Sequence, residues 1–243
     1  VIPNPWDAGS ARVLETLGFQ ALATTSSGFA FTLGRPDGAA TLDEMTEHVR
    51  LLDVATDLPV SVDLENGYGS TPEAAAIAVR RAAGAGAVGG SIEDFDPKDG
   101  LYDLSRAAER VQAAAEAARG LGFPFMLTAR AENHIRGNPD LPDTIARLRA
   151  YEEMGADVLY APGLRTLDEI RTVCASISKP LNVLAHPALT LSGIAEAGGQ
   201  RVSVGGALTW VAVEATVDAA EKIRGGDFSS LGGRARIEDW FGS

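Results

Sequence analysis

RAAGAGAV, residues Arg81–Val88, compresses a helix end, a glycine stop and the start of a strand into eight residues with almost no linker. The same phrase returns as ETLGFQAL at Glu15–Leu22, EEMGADVL at Glu152–Leu159 and AEAGGQRV at Ala195–Val202. Gly18, Gly155 and Gly198 fall where a helix must stop and the chain must turn back. Working outward, short apolar strands are expected at Val1–Asn4, Ala21–Ser26, Val60–Leu64, Ala87–Glu93, Phe125–Ala131, Asp157–Ala161, Leu181–Ala185 and Arg201–Val204. They are mostly apolar on both faces, the pattern of parallel strands covered by helices. Helix starts are marked as well. Thr41-Leu42-Asp43-Glu44 and Thr166-Leu167-Asp168-Glu169 are capping boxes, and Thr71-Pro72 sets a cap before a first-turn proline. Eight strands alternating with helices predict an α/β fold, a (β/α)8 TIM barrel. The rival, a doubly wound open sheet, would carry a G-x-G-x-x-G turn after its first strand, and none is found there. Residues 1–243 read as one barrel domain, with 225–243 as a C-terminal tail that carries Trp240 and Phe241 for packing on its own barrel or on another subunit.

The composition sets outer bounds. Apolar residues make up 45% of 243, enough for a sizeable core. No run of about 18 apolar residues suggests a membrane span. No signal peptide is visible, and the sequence starts at Val1 without a Met, which leaves room for upstream residues. A single cysteine, Cys174, rules out an internal disulfide and fits a reducing, cytoplasmic setting. A net charge of −12 argues against nucleic acid as a partner. It also means that an anionic substrate would need a local cationic pocket.

In such barrels the chemistry gathers at the carboxyl ends of the strands. The first strand delivers Asn4, Trp6 and Asp7. The second delivers Thr25, Ser26, Ser27 and Gly28, with Asp37 in the loop beyond. The third brings Asp63 and Glu65, the fourth Glu93 and Asp94. The fifth brings Arg130, Glu132, Asn133 and His134, the sixth Ala161 and Pro162, the seventh His186, the eighth Gly205 and Gly206. Asp37, Asp63, Glu65 and Glu93 could not all stay ionised side by side without a compensating charge. A divalent cation would supply it, and all-oxygen ligation favours Mg²⁺, with Mn²⁺ as the alternative, over zinc. Arg130, ending a buried strand, needs an anionic partner, either a substrate or an internal acid.

NPWDAGSARVLETLGFQALATTSSG, LGRPDG, VDLENGYG, GSIED and LTARAE occur in an order and spacing that resembles the isocitrate lyase/phosphoenolpyruvate mutase superfamily, over nearly the whole chain. The resemblance implies a (β/α)8 barrel whose eighth helix is exchanged between subunits, in a homo-oligomer, a dimer or tetramer. It implies a 2-oxo or 2-hydroxy carboxylate as the small-molecule partner, bound on Mg²⁺. Asp63 would touch the metal, and Asp37, Glu65 and Glu93 would hold its waters; the family usually has Asp where Glu65 stands. Ser27 and Gly28, with the amide of Phe29, would form a backbone nest for the substrate, Asp63 and Glu132 would lie beside it, and Arg130 would neutralise it.

The loop after the fourth strand departs from the family pattern. Lyases of the family carry Lys-Lys-Cys-Gly-His there, with the Cys as general acid/base; this chain reads EDFDPKDGLYDLS, Glu93–Ser105, without Cys or His. Cys174 sits on an expected helix. Lys98 remains, but the Asn-Ser that follows the mutases' lysine does not, and Thr25 replaces an aromatic. Cleavage beyond the carbon next to a 2-oxo group leaves an enolate that a metal can stabilise. Proton-transfer candidates are Tyr102, Glu132, His134, His186 and a metal-bound water, and the segment around Lys98 is expected to be a lid. Three functions follow: a Mg²⁺-dependent carbon–carbon lyase for a small di- or tricarboxylate, of isocitrate, methylisocitrate or oxaloacetate-decarboxylating type; a phosphonopyruvate hydrolase or phosphoenolpyruvate mutase; and a non-catalytic binder of a 2-oxo acid such as 2-oxoglutarate.

Overall fold

The computed structural model describes residues 1–232. Seven parallel strands form one sheet in the order β1 (Leu22–Ala23), β2 (Val60–Asp63), β3 (Gly89–Glu93), β6 (Met126–Arg130), β7 (Val158–Tyr160), β8 (Leu181–Leu184) and β9 (Arg201–Ser203). Between β3 and β6 a small antiparallel hairpin, β4 (Phe95–Asp96) and β5 (Gly100–Leu101), stands apart from the sheet. The sheet curls until its ends nearly meet, and the expected first strand closes it. Ile2 bridges Ser203 in parallel, its amide donates to Val202 O at 2.7 Å, and Pro3 O accepts from Ala23 N at 3.0 Å. That segment is a single bridge rather than a strand, because Pro3 and Pro5 have no N–H for a ladder. Asn4 supplies the missing bonds. Its Nδ2 donates to Thr24 O at 2.9 Å, and its Oδ1 accepts from Val204 N at 2.8 Å and Gly205 N at 2.9 Å.

Both capping boxes and the Thr71 cap form as read. Gly18, Gly86, Gly155 and Gly198 all have φ between 87° and 109°, left-handed stops between helix and strand. The second expected strand needs correction. It ends at Ala23, because the Thr25 side chain accepts from Gly28 N and starts α2 (Ser26–Thr32). Helices α4 (Pro72–Gly84) and α5 (Leu104–Arg119) pack through buried alanines, among them Ala75, Ala78, Ala82, Ala114 and Ala118. Cys174 is half-buried at the last position of α7 (Leu167–Cys174). The long α9 (Ala207–Arg224) buries only Thr209, while Trp210, Val211 and Val217 are exposed. Trp240 and Phe241 lie outside the described residues. Among those residues no helix is long and apolar enough to cross a membrane.

Candidate active site at the strand ends

The register of the sheet assembles the site. Asp63 ends β2, Glu93 ends β3 and Arg130 ends β6; Glu93 lies beside Arg130 in register, and Arg130 beside Tyr160. Alternation along β3 turns Glu93 inward and Asp94 outward. Asp94 is spent on structure: it accepts from Glu132 N at 2.8 Å and Arg147 Nη1 at 3.0 Å, and from the Tyr151 hydroxyl.

Arg130 is the hub. It pairs with Glu132 at 2.8 Å, Asp63 at 3.1 Å and Glu93 at 3.1 Å, and it lies over the Tyr160 ring at 5.2 Å. Three neighbouring carboxylates hold the guanidinium protonated despite its burial. Burial pushes the Glu93 carboxyl up; Arg130 pulls against this, and Glu132 and Asp63 add to the rise. Glu132 is fully buried and also accepts from Arg136 Nε at 3.1 Å. Asp63 is tied to α2 through Ser26 N at 3.3 Å. Glu65 takes a left-handed φ of 49°, uncommon for a residue with a side chain. Its carboxyl is pushed up to about 8 by burial, then by the charges of Asp63 and Asp37.

Two cavities meet at Arg130. One, of about 180 Å³, opens inside the barrel and is lined by Asn4, Ser27, Asp63, Arg130, Tyr160 and Arg201, among others. The second, of about 260 Å³, lies beneath the β4–β5 hairpin against Asp37, Glu65, Glu93, Pro97, Arg130 and Arg136. The four expected metal acids therefore border one or other of these two cavities, which share Asp37 and Arg130, and their donor set, all carboxylate oxygen and mutually repulsive, suits a hard divalent cation. They do not close into a cage. Among the described residues no three acids, histidines or cysteines converge tightly enough to hold an ion. Asp63 and Glu93 are turned onto Arg130, and Asp37 stays exposed on its loop.

The other expected residues divide. Ser27 lines the first cavity, with its hydroxyl 3.1 Å from that of Thr25. Ser27, Gly28 and Phe29, read as a nest, form the capped first turn of α2: Gly28 N bonds Thr25 Oγ1 at 3.4 Å and Phe29 N bonds Thr25 O at 3.0 Å. Phe29 stacks on the buried His48 at 4.1 Å. Lys98 is exposed at the hairpin tip, where its amide donates to Asp96 Oδ1 at 2.8 Å, and it lines neither cavity. Tyr102 is a buried anchor for the hairpin: its hydroxyl donates to Asp96 Oδ2 at 3.3 Å and accepts from Asn66 Nδ2 at 3.4 Å. His186 turns back on its own loop, with Nδ1 accepting from Ala188 N at 3.2 Å. His134 is buried, and burial lowers its pKa; it too lines neither cavity.

Three residues escaped the sequence reading. Tyr160 is the inward-facing end of β7, visible in principle from strand alternation. Burial raises its hydroxyl to about 12. Arg136 lies four residues after Glu132 and stacks over Phe95 at 3.9 Å, joining the hairpin to the acid cluster. Arg201, at the start of β9, lines the barrel cavity.

A parallel barrel with a buried arginine and carboxylates at its strand ends belongs to the α/β barrels that keep their active sites there. The particular family follows from the match of residues 1–224 to the phosphoenolpyruvate phosphomutase model: the chain belongs to that family. A Burkholderia cenocepacia J2315 protein classed only as a lyase/mutase superposes with a TM-score of 0.96 at 49% identity, over 100% of this chain and 91% of that one. An oxaloacetate decarboxylase of Bradyrhizobium sp. (strain BTAi1) is 32% identical over 91% of this chain and 79% of its own. A 2-methylisocitrate lyase of Halalkalibacterium halodurans is 31% identical over 83% and 69%. The superfamily resemblance read from the motifs, and the barrel it implied, are borne out.

Proposed function

We propose that the chain is a Mg²⁺-dependent carbon–carbon lyase acting on a small 2-oxo or 2-hydroxy di- or tricarboxylate. The observation that carries this reading is the buried Arg130 joined to Asp63, Glu93 and Glu132 at the ends of adjacent strands and bordering both cavities. A guanidinium's planar fork matches a carboxylate, and here its N–H groups serve Glu132, Asp63 and Glu93, which a bound carboxylate would share. Asp37, Asp63, Glu65 and Glu93 are the residues that would hold the metal. When bound, Mg²⁺ supplies Lewis-acid polarisation of the 2-oxo oxygen and compensation for charge that develops there.

The chain's own residues do the rest. Arg130 binds and orients the substrate carboxylate, and Ser27 borders its binding space. Glu132, held from both sides by Arg130 and Arg136, keeps the guanidinium plane fixed. The β4–β5 hairpin covers the second cavity through Phe95 and Pro97 and screens it from water. No cysteine or histidine lies on that hairpin, and neither Lys98 nor Tyr102 lines either cavity. This favours decarboxylation over retro-aldol cleavage, since decarboxylation needs only proton delivery to carbon. The exposed apolar residues of α9 support its exchange with a second copy; light scattering is expected to show a dimer or tetramer rather than a monomer.

Purified protein with Mg²⁺ is expected to release pyruvate from oxaloacetate, or pyruvate or glyoxylate from a 2-hydroxy tricarboxylate, and to stop on EDTA addition. No release from oxaloacetate, isocitrate or methylisocitrate, with or without metal, overturns the proposal. A second reading, phosphoryl transfer on phosphonopyruvate, is favoured by the description of the matching family model. Phosphorus NMR of a phosphonopyruvate incubation separates the two.

A further inference from the structure

Barrel interiors of this class are normally filled by layers of branched apolar side chains. Here the inward positions below the rim carry Ser61, Ser91, Thr128, Asn182 and Ser203, small residues with hydrogen-bonding groups that border or adjoin the 180 Å³ cavity. Among them sits Arg201. Its Nε donates to Asn182 Oδ1 at 2.9 Å and its Nη2 to Thr128 Oγ1 at 2.8 Å, both neutral acceptors. Arg130 and Arg147 each pair with carboxylates, but Arg201 meets none among the described residues. Its Nη1 makes no hydrogen bond to those residues, and Arg201 is one of the residues that line the cavity. Thr128 is two residues below Arg130 on the same inward face of β6, so the two guanidinium groups sit at successive levels of one space. Burial lowers the Arg201 pKa to about 10, which leaves it charged at neutral pH.

We propose that Arg201 is a second carboxylate receptor on the barrel floor, and that the cavity takes a compact dicarboxylate with one acid group on Arg130 and the other on Arg201. The inference rests on the lyase reading above and narrows its substrate class to diacids. The cavity is smaller than the roughly 300–1,000 Å³ of pockets for drug-sized ligands, which suits a diacid of a few carbons. A largely desolvated cation with no carboxylate partner among the described residues gains most from an anion that brings its own charge.

Calorimetry with malonate and acetate on the wild type, Arg201→Gln and Arg130→Gln tests this. The wild type is expected to bind malonate more tightly than acetate. Arg201→Gln is expected to weaken malonate about thirtyfold or more, the scale for removing one partner of a buried charge pair, and to leave acetate unchanged. Malonate binding unchanged in Arg201→Gln, with both ligands lost in Arg130→Gln, overturns the Arg201 assignment and leaves the lyase reading standing. No binding of either ligand to the wild type overturns the carboxylate-site reading and this proposal with it. Should Arg201→Gln fail to fold, a crystal structure of the wild type with malonate decides. Carboxylate density on Arg201 supports the proposal, and malonate confined to Arg130 overturns it.

Discussion

Replacing Arg130 with Gln removes one cation from three acids. The side chains involved are 13% exposed for Arg130, 14% for Asp63, 9% for Glu93 and 1% for Glu132, so this cluster is a buried one. Removing one partner of a buried ion pair costs about 3–5 kcal/mol, since the charge left behind has neither water nor a counter-ion. The cost is not tripled, because Arg136 remains 3.4 Å from Glu93 and 3.1 Å from Glu132. At about 2–4 °C per kcal/mol for a chain of this size, the melting temperature is expected to fall by about 6–20 °C. Calorimetric melts in EDTA measure this directly. Arg130→Lys should recover only part of the loss, because one ammonium cannot serve three acids in the plane of a guanidinium. Adding Asp63→Asn to Arg130→Gln should restore part of the stability, because Asp63 is the acid left without a cation. The deficit should also shrink as pH falls, starting with protonation of Glu93, whose carboxyl burial already pushes up. If Arg130→Gln melts within about 2 °C of the wild type, less than 1 kcal/mol on the same scale, the hub does not hold the acids together and the reasoning fails.

Three further outcomes are expected. Burial lowers the His48 pKa from 6.5 to about 4, against the raising pull of Asp7. Its stabilisation is full above pH 6.5 and is lost as pH falls towards 4, where the unfolded imidazole takes up a proton first; the loss is on the order of 3 kcal/mol at about 1.36 kcal/mol per pH unit. Urea unfolding at several pH values should show His48→Leu without that slope. Tyr102→Phe loses only the long hydroxyl bonds to Asp96 and Asn66, so its cost should be about 0.5–1.5 kcal/mol in denaturant melts. Its turnover should stay close to wild type, and a fall of about 10²-fold or more would restore Tyr102 as a proton-transfer group. Gly28→Ala places a Cβ 2.5 Å from Thr209 Oγ1 and 2.7 Å from Thr25 Cγ2. This overpacking should cost about 1–3 kcal/mol and change the tryptophan fluorescence, since Trp210 packs edge-on to Phe31 of α2.

Local signals were legible in the sequence because they act within a few residues. The Thr41 and Thr166 capping boxes and the left-handed glycines after the helices are contacts between near neighbours, and all form as read. The inward placing of Asp63, Glu93 and Arg130 followed from strand ends alone. What the acids do with one another was not legible. Whether Asp63 and Glu93 face an ion or turn onto Arg130 depends on side-chain rotamers across three strands. Thr25 could continue a strand or cap a helix, and here its hydroxyl takes the Gly28 amide and caps. Lys98 and His186 sit on short turns, where no periodicity constrains the direction of a side chain.

Asn4 has a consequence for how the barrel comes together. The bonds from Val204 N and Gly205 N to its side chain span 200 and 201 positions of sequence. Contacts of such long span carry a heavy loop-closure cost and are expected to form after the local strand–helix units. With one bridge and one amide side chain in place of a full ladder, this joint is also where the cylinder should open first in native-state hydrogen exchange. Ile2, Asn4 and Gly205 border the interior cavity, so the last joint to zip is also a wall of the space that Arg130 and Arg201 line.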